Sequence, residues 1–183
     1  MRLTGGHDRG RRLIAPRGGD TRPTAAKVRE AIFNILGPPP EGSVLDLYAG
    51  TGALGLEALS RGASHVVFVE REPAPLSALR RNIKELGFDD RATILASDVC
   101  SGLRRLGGKG NRFSWIFLDP PYAKETAGVL SELSGSDLLA TCAVVVLEHD
   151  RRHRPPESVG CLFLTDRREY GDTELSFYRS SGS

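Results

Sequence analysis

From Ser43 to Leu147 short apolar runs alternate with segments of helical spacing, and few folds other than a helix-covered parallel sheet accommodate that alternation. Val44-Leu-Asp-Leu-Tyr reads as a buried strand, followed by a glycine turn and a helix through Leu59. His65-Val-Val-Phe-Val-Glu70 gives a second strand, and Pro73 to Leu86 a helix. Ala92 to Ala96, Phe113 to Leu118 and Cys142 to Leu147 give three more strands, with a helix over Val99 to Leu106. Near-continuous apolar strands are those buried on both faces, as parallel strands are. The end of the chain differs: Gly160 to Thr165 and Thr173 to Tyr178 flank Tyr170-Gly171-Asp172 as a hairpin, which adds an antiparallel edge. The expectation is an α/β, Rossmann-like fold: a mainly parallel seven-stranded sheet with helices on both faces and an antiparallel C-terminal hairpin.

Ahead of this body lies an N-terminal appendage. Arg2-Leu-Thr-Gly-Gly and Arg11-Arg-Leu-Ile-Ala-Pro read as two short strands around a glycine turn. Thr24 can cap a helix over residues 24–36, in which Val28, Ala31, Ile32, Ile35 and Leu36 recur at helical spacing. Gly37 and Pro38-Pro39-Pro40 end it, so residues 1–40 form a basic hairpin-and-helix extension and residues 41–183 the main domain. The net charge of +2 is unevenly spread: residues 1–30 hold eight Lys/Arg against three acids, and the remainder 17 against 20. A basic arm on a slightly acidic body suits a polyanionic partner, although charge alone is equally met by a solvated terminus. No apolar run of about 18 residues is present to cross a membrane, and Met1 to Gly10 lacks an apolar signal core, so a cytoplasmic protein is expected. Cys100, Cys142 and Cys161 have neither disulfide nor zinc spacing and read as small buried hydrophobes; no metal is expected.

Two motifs carry chemistry. In Asp46-Leu-Tyr48-Ala49-Gly50-Thr51-Gly52-Ala-Leu-Gly55 the three glycines satisfy G-x-G-x-x-G between a strand and a helix. Glu70, twenty residues after Gly50 at the end of the second strand, can accept both hydroxyls of an adenosine ribose. Dinucleotide enzymes share these features. Asp46, inside the strand, and Asp98, just past the third strand, tip the reading toward S-adenosyl-L-methionine. Asp46 can orient the loop or meet the ammonium of a methionine moiety, and Asp98 can accept from the adenine amine. The candidate cofactor residues are Asp46, Tyr48, Ala49, Gly50, Thr51, Gly52, Gly55, Glu70, Arg71 and Asp98.

The second motif, Asp119-Pro120-Pro121-Tyr122, follows the fourth strand. The lone pair of an exocyclic base amine is delocalised into the ring, so the nitrogen must move toward tetrahedral geometry before it attacks a methyl group. Asp119 and a carbonyl of the Pro120–Pro121 turn can each accept one N–H and aim that lone pair. The prolines hold the turn in advance, and Tyr122 can stack on the base. The two motifs together imply a Rossmann-like class I methyltransferase acting on a nucleic-acid amine.

With both motifs in place, the chain resembles the RsmD family of bacterial 16S rRNA guanine-N2 methyltransferases. The resemblance extends over Gly5-Gly6…Gly10-Arg11-Arg12-Leu13, Arg22-Pro-Thr-x-x-x-Val28-Arg-Glu-Ala-x-Phe33-Asn-x-Leu36, Leu45 to Ala63, Asp119 to Tyr122 and Tyr170 to Thr173. It implies methyl transfer to N2 of one guanine in 16S rRNA, within a 30S subunit or an assembly intermediate, by a monomer. Arg11, Arg12, Arg22, Thr24, Lys27 and Arg29 would then bind RNA, with closure over the cofactor as the alternative for Arg22, Thr24 and Arg29. Two alternatives are a DNA adenine-N6 methyltransferase, which shares D-P-P-Y, and a non-catalytic RNA-binding assembly factor. The first usually needs a separate target-recognition region, and the 61 residues after Tyr122 are consumed in completing the sheet.

Overall fold

The computed structural model describes residues 1–16, 23–39, 42–120 and 123–181, with the backbone alone at 23–25 and 123–125. Five strands run parallel: β1 (Ser43–Leu47), β2 (His65–Glu70), β3 (Ala92–Ala96), β4 (Phe113–Leu118) and β5 (Leu139–Asp150). β6 (Ser158–Val159), β7 (Leu162–Tyr170) and β8 (Thr173–Ser180) complete one sheet in the order β3-β2-β1-β4-β5-β8-β7-β6. β8 pairs antiparallel to β5, and β7 to β8, which is the expected hairpin edge. The helices are α1 (Pro23–Leu36), α2 (Ala53–Ser60), α3 (Pro73–Leu86), α4 (Val99–Leu106) and α5 (Ala123–Ser134). Among the described residues no helix is long and apolar enough to cross a membrane.

Among the described residues the sheet has eight strands rather than seven. The extra one, β6, pairs through Ser158↔Phe163 and Val159↔Leu162 alone, and two residues are too few to leave an alternation in the sequence. β5 begins before the apolar run does, at Leu139 opposite Phe113, and the register shifts before Trp115 meets Val144. Cys142, at φ 56°, sits in that irregular stretch and is exposed, as is Cys100; Cys161 is half-buried. The cysteines are therefore not the buried hydrophobes expected. Helix α5 was not foreseen, although Val129, Leu130 and Leu133 bury one face of it.

Strand alternation sends side chains to two cores. Val44, Val66, Phe68, Trp115, Phe117 and Val146 face α1, α2 and α3, while Leu45, Leu47, Val69, Ile116, Leu118 and Leu147 face α4 and α5. The N-terminal segment shares the first core: Leu3, Leu13, Val28, Ile32 and Phe33 are all buried in it. Phe33 lies 6.1 Å from Trp115 and 5.8 Å from Phe117, within the range of tilted and edge-on aromatic pairs. Trp115 is thus a core residue. The two N-terminal strands contract to one bridge, Arg2↔Arg12, with Leu3 N–H donating to the Arg11 carbonyl at 3.0 Å. Helix α1 starts at Pro23, a residue suited to a first helical turn, so Thr24 lies inside the helix and not at its cap.

The arm, α1 and α2 are joined at Glu57, which is fully buried. Its carboxylate accepts from Thr4 N–H (2.8 Å), Thr4 Oγ1 (2.7 Å), Arg61 Nε (3.0 Å) and Arg29 Nε (3.3 Å). Arg29 also donates to the Arg2 carbonyl at 2.6 Å and is only 3% exposed. It was expected on RNA phosphates. Its place beside Val28 and Ile32 on the buried face of α1 turns it inward, to a structural role. Replacing Arg29 with Ala leaves Glu57 with less than its full counter-charge. A loss of about 3 kcal/mol is expected, which for a chain of this size lowers the melting temperature by about 6–12 °C. A melting curve superimposable on that of the parent protein would show that the pair contributes nothing to stability.

Candidate active site

The order β3-β2-β1-β4-β5 reverses direction between β1 and β4, and ligands in open α/β sheets bind outside the carboxyl ends at such a reversal. The glycine loop from Tyr48 to Gly52 leaves β1 there. Gly52 caps α2 at φ 82°, where a Cβ would meet Leu79 Cδ1 at 2.4 Å. Gly55 packs α2 onto the sheet so closely that a Cβ would sit 2.3 Å from the Phe68 ring. Both positions require the absence of a side chain.

Two carboxylates from neighbouring strands hold this loop. Asp46, 2% exposed, accepts from Gly55 N–H at 2.9 Å, which realises the loop-orienting role of the two considered for it. It does not line the cavity described below. Glu70 accepts from Gly50 N–H at 2.7 Å through one oxygen, and from Arg71 and Glu72 N–H at 2.8 and 2.7 Å through the other. Asn82 of α3, which sequence reasoning missed, donates to the Thr51 carbonyl (3.0 Å) and the Ile14 carbonyl (3.1 Å), and accepts from Ile14 N–H (2.7 Å). One buried amide therefore ties the N-terminal arm to the glycine loop.

A cavity of about 680 Å³ opens beside the loop. Of the residues singled out from sequence, Tyr48, Glu70, Arg71, Asp98 and Asp119 line it. Tyr48 holds a left-handed backbone, φ 57°. Arg71 is exposed and pairs with Glu72 at 3.1 Å. Asp98 caps α4 by accepting from Ser101 N–H at 2.9 Å, and that hydrogen bond holds its carboxyl below the usual range. Apolar walls come from Val69, Pro75, Val99 and Val129, which the sequence did not single out. Ala49, Gly50, Thr51, Gly52 and Gly55 shape the loop and are not among the lining residues. Pro121, Tyr122 and Arg22 fall outside the described residues, as does the side chain of Thr24; Pro120 is half-buried. Arg11 reaches Asp8 at 3.2 Å and the Glu85 carbonyl, while Arg12 and Lys27 are exposed. Among the described residues no three His, Cys, Asp or Glu side chains converge as a metal site.

The electrostatics of the carboxyl edge are dominated by acids. Asp46, Glu70 and Asp119 share the α1–α3 face of the sheet, joined by Glu148 of β5, which sequence reasoning missed. Asp119 opens onto the cavity, yet the surrounding protein displaces enough water to push its carboxyl up to about 6. Glu148, half-buried, is pushed up to about 7 by desolvation and then by the charge of Asp119. Asp46 is pushed up to about 8, chiefly by burial, against the opposing hydrogen bond from Gly55.

An adenosine-sized cavity at the strand reversal, a glycine loop tied to acids on β1 and β2, and an acid at the end of β4 define a methyltransferase of the Rossmann-like class. The chain belongs to the family described as Conserved hypothetical protein 95, the RsmD family, whose profile matches residues 1–179. It is 39% identical over 184 residues to a Bacillus subtilis (strain 168) protein named "Putative rRNA methyltransferase YlbH", covering 100% of both chains. It is 36% identical over 155 residues to Ribosomal RNA small subunit methyltransferase D of Escherichia coli (strain K12), covering 82% of this chain and 75% of that one. Among solved structures, "Putative methyltransferase yhhF from Escherichia coli" superposes with a TM-score of 0.87 at 28% identity, covering 100% of this chain and 99% of that one.

The buried Asp46 makes stability fall with rising pH. Its folded-state value of about 8 lies above the ~3.9 of an unfolded aspartate, so between the two the folded chain keeps a proton that the unfolded chain has released. Asp46→Asn keeps an acceptor for Gly55 N–H without the charge. Its melting temperature is expected to exceed that of the parent protein by a margin that widens from pH 5 to about 8. A margin independent of pH would remove Asp46 as the group responsible.

Proposed function

We propose that the chain transfers a methyl group from S-adenosyl-L-methionine to the exocyclic N2 amine of one guanine in 16S rRNA. We take it to act as a monomer in the cytoplasm on a 30S subunit or an assembly intermediate. The observation that carries this reading is Asp119, an acceptor at the carboxyl end of β4 on the wall of a nucleoside-sized cavity. The ribosomal target is supported by the names of the Bacillus and Escherichia relatives.

The residues present fit the cofactor. The cavity volume lies within the usual range for small-molecule sites, about 300–1,000 Å³. Glu70 would take the ribose hydroxyls, Asp98 the adenine amine, and Val69, Pro75, Val99 and Val129 the faces of the ring. When bound, the cofactor supplies an electrophilic methyl group on a cationic sulfur. Glu70 and Asp119, which line the cavity, suit that positive charge. Asp119 accepts one N–H of the target amine and the Pro120 carbonyl a second, so the nitrogen lone pair is directed into the cavity. Arg12 and Lys27, both exposed, and Arg11 of the arm would meet phosphates, which fix register without reading sequence.

Transfer of labelled methyl to naked 16S rRNA, to 30S particles lacking the modification and to duplex DNA, followed by nucleoside analysis, tests the reading. N2-methylguanosine in either RNA sample is expected; N6-methyladenine in DNA would replace the proposed reaction with another. Asp119→Ala is expected to lower the transfer rate by about 10²–10³-fold with cofactor affinity nearly unchanged by titration calorimetry. Equal losses in rate and affinity would contradict the role given to Asp119. Because Asp119 must be ionised to accept the amine, transfer is expected to fall as pH drops through about 6 and to level off above it.

A further inference from the structure

Glu148 occupies a position that the proposed reaction does not yet use. β4 and β5 pair in parallel with Leu118 opposite Leu147, so Asp119 and Glu148 follow at matching positions on neighbouring strands. Such strands lie about 4.8 Å apart. Phe117 and Val146, one step of the alternation earlier, both face the α1–α3 core, which sends Asp119 and Glu148 to that same face. The cavity is lined from the loop after β1, from β2, the start of α3, the β3–α4 turn with the start of α4, α5 and Asp119; Glu148 lies on the other side of Asp119, toward β8. A base whose amine meets Asp119 from outside the cavity therefore has Glu148 beside it.

Among the described residues the pair also lacks donors. Among the described residues no side chain or backbone N–H donates a hydrogen bond to Asp119 or Glu148, and neither forms an ion pair. Among the described residues on the β7–β8 side, Arg154 pairs with Glu169 at 2.9 Å, Arg167 with Glu174 at 3.5 Å and Arg168 with Asp166 at 2.9 Å. His149, the next residue, bonds Ser176 Oγ at 2.9 Å. Two adjacent acceptors without donors call for a ligand edge made of donors. Of the four RNA bases only guanine sets a ring N–H next to an exocyclic amine. Adenine and cytosine place an acceptor nitrogen there, which a carboxylate repels.

We propose that Glu148 accepts the ring N1–H of the target guanine while Asp119 accepts an N2–H, making Glu148 the residue that selects guanine over other amine-bearing bases. The assignment deepens the guanine-N2 reading and rests on it.

The test compares 16S rRNA carrying, by ligation at the methylated position, either guanosine or 2-aminopurine riboside, which keeps the 2-amine but has no N1–H. The parent protein is expected to favour guanosine in kcat/KM by about 10–100-fold, the scale of a good base contact. Glu148→Gln, which can donate to a bare N1, is expected to bring the two rates to within a few fold, mainly by losing rate on guanosine. Glu148→Asp keeps the carboxylate and is expected to retain the preference at reduced rate. Glu148→Ala gives the same ratio if the Gln variant fails to fold, because removal of the carboxylate alone erases the preference. Equal losses on both substrates in Glu148→Gln, or a parent protein indifferent to the two, would overturn the assignment. Failure of the underlying reaction is visible separately, as no N2-methylguanosine from the parent protein on guanosine RNA, and it removes the assignment with it.

Discussion

A loop that brings backbone N–H groups to a ligand must itself be held, and here the anchors are two carboxylates on neighbouring strands. Asp46 takes the Gly55 N–H and Glu70 the Gly50 N–H, so the turn between β1 and α2 is clamped at both ends. Burial of such acids is unfavourable unless donors meet them, and backbone amides of a turn are donors that cannot drift away. Most of what surrounds the loop follows from this clamp. Gly55 must lack a side chain because α2 is drawn onto Phe68, and Gly52 because Leu79 closes behind it.

The N-terminal segment belongs to the same mechanical unit. Asn82 bonds both Ile14 and Thr51, and Glu57 gathers Thr4, Arg29 and Arg61 under α2. A segment carrying exposed arginines is thereby fixed against the element that shapes the cofactor cavity. Displacement of the arm would be transmitted to the loop through one amide and one carboxylate, both buried. Orienting the arm and holding the loop in shape are then physically one task.

The acids at the carboxyl edge are not equivalent. Asp46 is satisfied and enclosed, Glu70 is satisfied and faces the cavity, and Asp119 and Glu148 have no donor among the described residues. Burial raises three of them, Asp46 to about 8, Glu148 to about 7 and Asp119 to about 6, because desolvation favours the neutral acid. Asp119 and Glu148 are poised for a ligand that brings its own donors and positive charge.

Much of this was legible in the residues alone. The five parallel strands, the glycine loop, the end of β2 at Glu70 and the placement of Asp119 all follow from patterns that neighbours in sequence impose on one another: the alternation of two, the helical repeat and the tolerances of glycine. The two-residue β6 was too short to carry such a pattern, and the exposed start of β5 broke the apolar run that announced the rest. Only the tertiary structure decided that Arg29 turns inward to Glu57 and not outward to a phosphate, since a helix face accepts an arginine either way until its partner is placed. Only the pairing of β4 with β5, across 29 positions of chain, set Glu148 beside Asp119. Local periodicity is written in the chain, whereas which carboxylates meet is settled by long-range strand pairing, which no short stretch of residues encodes.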